Sequence, residues 1–114
     1  MSNRWHWNIR AAGAAAVMLL ASAGGALADR IDGDWCRADG KRMSISGPDI
    51  VTPGGKRTRG NYSRHAFDYV IPVDEAGSGE TVWITLLSEY LAHARQGSDS
   101  APLQVWNRCQ PGVS

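Results

Sequence analysis

The sequence predicts an all-β domain, a small antiparallel sheet or flattened barrel closed by one disulfide. Three observations carry this prediction. Turn-forming residues recur at short intervals, at Asp32-Gly33, Asp39-Gly40, Gly47-Pro48-Asp49, Thr52-Pro53-Gly54-Gly55, Gly77-Ser78-Gly79 and Gly97-Ser98-Asp99, which is the punctuation of short strands joined by hairpins. Between them apolar and polar residues alternate, as in Met43-Ser44-Ile45-Ser46, the period of a half-buried strand. The two cysteines stand near the two ends of this region, at 36 and 109.

The chain begins with an address rather than with structure. Met1–Arg10 carries Arg4 and Arg10 and no acid, Ala11–Ala28 carries no charge, and Ala26-Leu27-Ala28 precedes Asp29. A basic start, an apolar middle and an A-x-A site read as a secretory signal peptide. The expected organisation is therefore a cleaved signal peptide over 1–28, a single β domain over 29–109 and a flexible tail over 110–114. The chain has 12 basic and 11 acidic residues, a net charge of +1. Loss of Arg4 and Arg10 turns that into −1, with no basic patch left to hold nucleic acid or an anionic bilayer. The expected product is periplasmic or secreted, with no nucleic-acid partner and no stable membrane insertion after signal cleavage.

An even cysteine count in a small exported chain implies a disulfide between Cys36 and Cys109. The chain-entropy account gives closure of so long a loop about 4 kcal/mol. Cys36, His65, His93 and Cys109 also make a two-Cys, two-His inventory, but no close pair starts a zinc site, so no metal and no cofactor are expected.

Strands are expected near Ile31–Cys36, Arg42–Ser46, Ile50–Thr52, Gly60–Ser63, His65–Ile71, Thr81–Leu87, Tyr90–Arg95 and Leu103–Cys109. Val82–Arg95 also shows helical spacing at Val82, Leu86, Tyr90 and Ala94. A hairpin turning near Ser88-Glu89 is the preferred reading, because Val82-Trp83-Ile84-Thr85 is rich in strand formers. Lys56, Arg57 and Arg59 read as a solvated hairpin tip.

The stretch Gly60–Pro72 gathers Tyr62, Arg64, His65, Asp68 and Tyr69. Extended-chain alternation puts His65, Phe67, Tyr69 and Ile71 on one face and Arg64, Ala66, Asp68 and Val70 on the other. Arg64 and Asp68 would then lie roughly 13 Å apart, too far for an ion pair. His65 is expected at the edge of the core. With Tyr62 and Arg64 it is also the candidate contact for a ligand or partner. Trp35, Trp83, Trp106, Phe67 and Tyr69, with Arg108, are the expected structural core.

No catalytic residue is assigned. There is no G-x-S-x-G, Ser63 and His65 lack a third group and an oxyanion hole, and Gly54-Gly55-Lys56 lacks the spaced glycines of a phosphate loop. Asp32 with Asp34, and Ser88-Glu89 near His93, read as polar strand entry and turn.

Gly33-Asp34-Trp35 resembles the G-x-W signature of lipocalin-like barrels, a group in which an arginine late in the last strand packs on the tryptophan. Arg108 stands at the comparable place, and the length here implies a reduced barrel with a filled interior. The whole stretch is similar to small uncharacterised secreted proteins of Gram-negative soil bacteria in its D-G-D-W-C start (Asp32–Cys36), I-V-T-P-G-G turn (Ile50–Gly55), Y-S-R-H-x-F-x-Y strand (Tyr62–Tyr69) and W-x-R-C end (Trp106–Cys109). That likeness implies a periplasmic home and no activity. A further likeness is to small periplasmic barrel inhibitors of secreted metalloproteases. Those act through a free N-terminal arm, for which only Asp29–Ile31 is present here. The expected function is a non-enzymatic binding or interaction module whose partner is a protein or a small apolar ligand. The alternatives are a periplasmic enzyme inhibitor or a small hydrolase.

Overall fold

Nine strands form among the described residues, 30–110, of this computed structural model. They are β1 Gly33–Arg37, β2 Arg42–Ser46, β3 Asp49–Val51, β4 Arg57–Arg59, β5 Asn61–Ser63, β6 Ala66–Val70, β7 Thr81–Ser88, β8 Leu91–Gln96 and β9 Gln104–Arg108. All pairings are antiparallel, in the order β4-β3-β2-β1-β9-β8-β7-β6-β5. The two outermost strands of that order, β4 and β5, are consecutive in sequence with Gly60 between them. Residues 57–63 therefore act as one strand, whose first half pairs with β3 and whose second half pairs with β6. The sheet curls into a nearly closed up-and-down barrel, which leaves little free edge to template aggregation.

Gly60 makes this seam possible. Its N–H donates to the Pro48 carbonyl at 2.9 Å. A Cβ there would strike the Asp68 carbonyl oxygen and come within 2.8 Å of the Phe67 ring. Only a residue without a side chain lets the strand cross from β3 to β6 so closely.

The other seam joins the two ends of the domain. β1 and β9 pair with Trp35 opposite Arg108, Cys36 opposite Asn107 and Arg37 opposite Trp106. Alternation sends the two indoles inward and the cysteines outward. The Cys36–Cys109 disulfide clasps the outer face with its Cα atoms 5.2 Å apart. The interior is filled by Trp35, Met43, Ile45, Ile50, Phe67, Tyr69, Val82, Ile84, Ala92, Ala94 and Trp106, with Ile31 and Ile71 at its two ends. Ala92 sits directly opposite Trp106, a small residue that gives the indole its space.

Three expectations need correction, and over 82–95 the preferred hairpin is found. Trp83 is not core: it is 44% exposed, because β7 turns Val82 and Ile84 inward and the residue between them must face out. His65 is not at the core edge. It is exposed in the two-residue turn Arg64-His65 that joins Ser63 to its partner Ala66, so the chain reverses where a continuous strand face was expected. Arg57 and Arg59 are not a loop tip; with Thr58 they form β4, where Arg59 faces Asp49 across the ladder at 3.4 Å. The helical alternative over 82–95 gives way to β7 and β8, reversing at Glu89-Tyr90 after an irregularity between Leu86 and Ser88. The expected signal peptide, 1–28, and residues 111–114 of the expected tail lie outside the described residues.

Both seams can be tested by urea titration. Replacing both cysteines by serine is expected to remove about 2–5 kcal/mol of stability. Gly60→Ala is expected to cost about 2–3 kcal/mol through the forced contacts with β6. An unchanged midpoint in either variant would remove that seam from the account.

Candidate functional site

The barrel has two unlike ends. One is shut by the chain entering it. Ile31 is fully buried there, and its N–H donates to the Arg64 carbonyl at 2.9 Å. The Trp35 indole donates back to the Ile31 carbonyl at 2.9 Å. Arg108 lies over the Trp35 ring, 4.4 Å from guanidinium carbon to centroid, a stacking that combines cation–π attraction with burial of the side-chain stem. Its guanidinium donates to the carbonyls of Asp32 and Arg30 at 2.8 Å each and to that of Glu89 at 2.5 Å. A Cβ on Gly33, whose φ is +126°, would come within 2.6 Å of this guanidinium. The glycine of G-D-W is thus the space in which the arginine lies, and the arginine-on-tryptophan contact that the motif implies is present.

Tyr62 completes this end by donating to the Asp32 carboxylate, which also accepts the Gly47 N–H at 2.7 Å. Partial burial works against the Asp32 carboxylate. The Tyr62 hydroxyl, the Gly47 amide and the charge of Arg30 outweigh it and hold the pKa below the ordinary carboxylate value. The Tyr62 phenol is held above its ordinary value, first by the same hydrogen bond.

The opposite end is open. Its connections include residues 52–56 between β3 and β4 and residues 71–80 between β6 and β7. The second folds against the first. Thr52, almost fully buried, donates its hydroxyl to Glu75 at 2.5 Å and accepts the Lys56 N–H at 3.1 Å. Lys56 donates its ammonium to the Val73 carbonyl at 2.8 Å and to Asp74 at 3.1 Å. Asp74 takes a left-handed conformation, φ 76°, which aspartate tolerates in a tight turn.

Between these loops and the barrel lies a cavity of about 350 Å³, within the range of about 300–1,000 Å³ that small-molecule sites occupy. Met43, Ile71, Val82, Ala94 and Trp106 supply its apolar wall, and Arg37, Tyr69, Glu75, Gln96 and Gln104 its polar groups. Most polar groups are already engaged. Arg37 lies over Trp106 at 5.1 Å and grips Asp39 with two bonds of 2.9 and 2.8 Å, which hold the Asp39 carboxyl at about 2. Gln104 accepts the Trp106 indole N–H at 3.2 Å, and Gln96 donates to Glu80 at 2.9 Å. Tyr69 is different. Its side chain is 5% exposed, yet its hydroxyl has no hydrogen-bond partner among the described residues and is left open to the cavity. Burial first, then the negative charge of Glu75, push its pKa up to about 12 against the opposing pull of Arg37.

No family model matches this chain, and neither a curated protein nor a solved structure matches it.

The residues singled out as contacts, Tyr62, Arg64 and His65, sit at the shut end and do not line the cavity. The backbone of the last two ties strands together: the Arg64 carbonyl takes the Ile31 N–H and the His65 carbonyl the Leu86 N–H, at 2.9 and 2.8 Å. Tyr69, Trp106 and Phe67 are buried as expected, and the first two double as cavity wall. Sequence reasoning missed Arg37 and Glu75. The first was readable, since a residue two beyond Trp35 in a strand shares its face; the second sits in a loop that carries no such signal. His93 and Trp83 line a shallow outer groove of about 140 Å³ with Leu103. Among the described residues no group of three or more His, Cys, Asp or Glu side chains is placed to hold a metal.

Tyr62→Phe checks the shut end through pH. The lowered Asp32 pKa contributes stability that is present above the unfolded value near about 4 and is lost as pH falls through the folded value. The substitution is expected to destabilise at neutral pH, and the difference from the parent should shrink in acid. A difference that stays constant down to strong acid, read by thermal melting, would show that the bond does not carry it.

Proposed function

We propose that the protein is an exported, non-enzymatic binding module that takes a small amphipathic ligand into the open mouth of its barrel. The observation that carries this reading is the Tyr69 hydroxyl, which has no hydrogen-bond partner among the described residues, on the wall of a cavity of about 350 Å³. The hydroxyl opens onto the cavity rather than into the packed core, where it is placed to bond a polar atom of a ligand. The Cys36–Cys109 disulfide supports an oxidising compartment, and among the described residues no helix is long and apolar enough to cross a membrane. The G-x-W resemblance, with Arg108 on Trp35, supports a lipocalin-like use of the barrel. A second reading, a protein partner, is favoured by Trp83, Leu103 and Val105, all exposed on one outer face of β7–β9.

Hexanol is a suitable probe of the mouth, followed by amide and indole chemical shifts. It is expected to move the signals of Tyr69, Ala94 and Trp106 saturably. Ala94→Leu, which fills the space, should weaken it about tenfold, a change of about 1.4 kcal/mol. Shifts confined to Trp83 and Leu103 would move the site to the outer face and overturn the reading.

A further inference from the structure

We propose that the mouth selects an organic ammonium: a small molecule whose apolar body enters the barrel and whose cationic head meets the Glu75 carboxylate. The inference rests on the cavity reading above and adds the charge of the ligand. The acids around the mouth are unequal. Asp39 is paired with Arg37 at 2.8 Å and Asp74 with Lys56 at 3.1 Å. Glu75, half-buried on the cavity wall, has no cation within ion-pairing distance among the described residues. Its one hydrogen-bond donor is the neutral Thr52 hydroxyl. A carboxylate taken partly out of water without a counter-charge is costly, and an incoming cation relieves that cost.

The carboxylate is also aimed. Thr52 holds one oxygen, and the side chain lies against Gly54, where a Cβ would come within 2.6 Å of the other oxygen. Its charge acts on Tyr69, whose phenol stays protonated and neutral far above physiological pH. The Tyr69 oxygen is then a second acceptor for an ammonium N–H, beside the first. An anionic head finds less: the Arg37 guanidinium is spent on Asp39 and on the Trp106 face, and Lys41 stands exposed at the rim, where water screens it.

Three probes of equal chain length, hexylammonium, hexanol and hexanoate, titrated calorimetrically at neutral pH and low salt, test the assignment on the purified protein. Hexylammonium is expected to bind about tenfold or more tightly than hexanoate, the scale of a single partly buried charge contact. Glu75→Gln keeps an acceptor for Thr52 and should abolish the preference while leaving hexanol unchanged. Asp49→Asn, an equal change of charge away from the mouth, should leave the preference intact. Hexanoate binding as tightly as hexylammonium, or a preference that survives Glu75→Gln, would overturn the ammonium assignment alone. If Ala94→Leu weakens none of the three probes, the cavity reading falls, and the ammonium assignment falls with it.

Discussion

The pairing of β1 with β9 is the joint on which the rest of the barrel depends. It brings together the first and last strands, the most distant contact the topology contains, and therefore the one with the largest loop entropy to overcome. Both faces of the joint are reinforced. Outside, the disulfide restrains the unfolded chain. Inside, each strand supplies one tryptophan and one arginine, crossed so that Arg108 covers Trp35 and Arg37 covers Trp106. Stacked pairs of this kind are worth about 0.5–2 kcal/mol each, according to how far water is excluded. In a domain of this size, where a single core supplies only a few kcal/mol beyond its ordering entropy, such increments decide whether the barrel stays shut.

The same crossed pairs make the two ends unequal. Arg108 points to the end where Ile31 and the entering chain are waiting, and its donors find the carbonyls of Arg30, Asp32 and Glu89. Arg37 points to the end where longer connections stand apart, and finds only Asp39 of its own hairpin. Small residues continue the asymmetry: Ala92 faces Trp106 and is filled by it, whereas Ala94, one inward step nearer the mouth, faces Gln104 and borders open space. Along β6, Phe67 packs against the Gly60 seam, and Tyr69, the next inward residue, ends in the cavity. One inward step along each strand leads from core to pocket wall.

Much of the fold was legible because it is written in local pattern. Met43 and Ile45 alternate, and β2 forms over the expected residues; Cys36 and Cys109 are the chain's two cysteines, and they pair. What escaped was either ambiguous in parity or non-local. On β7 Trp83 and Leu87 stand on the face opposite Val82 and Ile84, and the expectation that a tryptophan belongs to the core outweighed the two threonines beside it. The turn at Arg64-His65 carries none of the Gly, Asn or Asp residues that mark two-residue hairpins, so a strand face was extended through it. The Glu75–Thr52 contact spans 23 residues between two loops, and no periodicity foretells it. The pocket is the sum of such contacts, which is why candidate contacts were sought in the polar cluster at 62–65 while the cavity lies at the other end.

That separation has a physical logic. A half-buried carboxylate with no cation beside it among the described residues subtracts from stability, and a marginal domain tolerates it only where stability is supplied elsewhere. Here the supply is concentrated at the shut end and along the β1–β9 joint. The mouth is then free to keep polar groups unsatisfied, with Glu75 fixed by Thr52 and Lys56 holding the turn beside it. A ligand that bonds both Glu75 and Tyr69 would gain from groups already oriented, with little ordering left to oppose binding. The division of labour between a braced base and an open mouth is what would let so small a barrel hold a ligand.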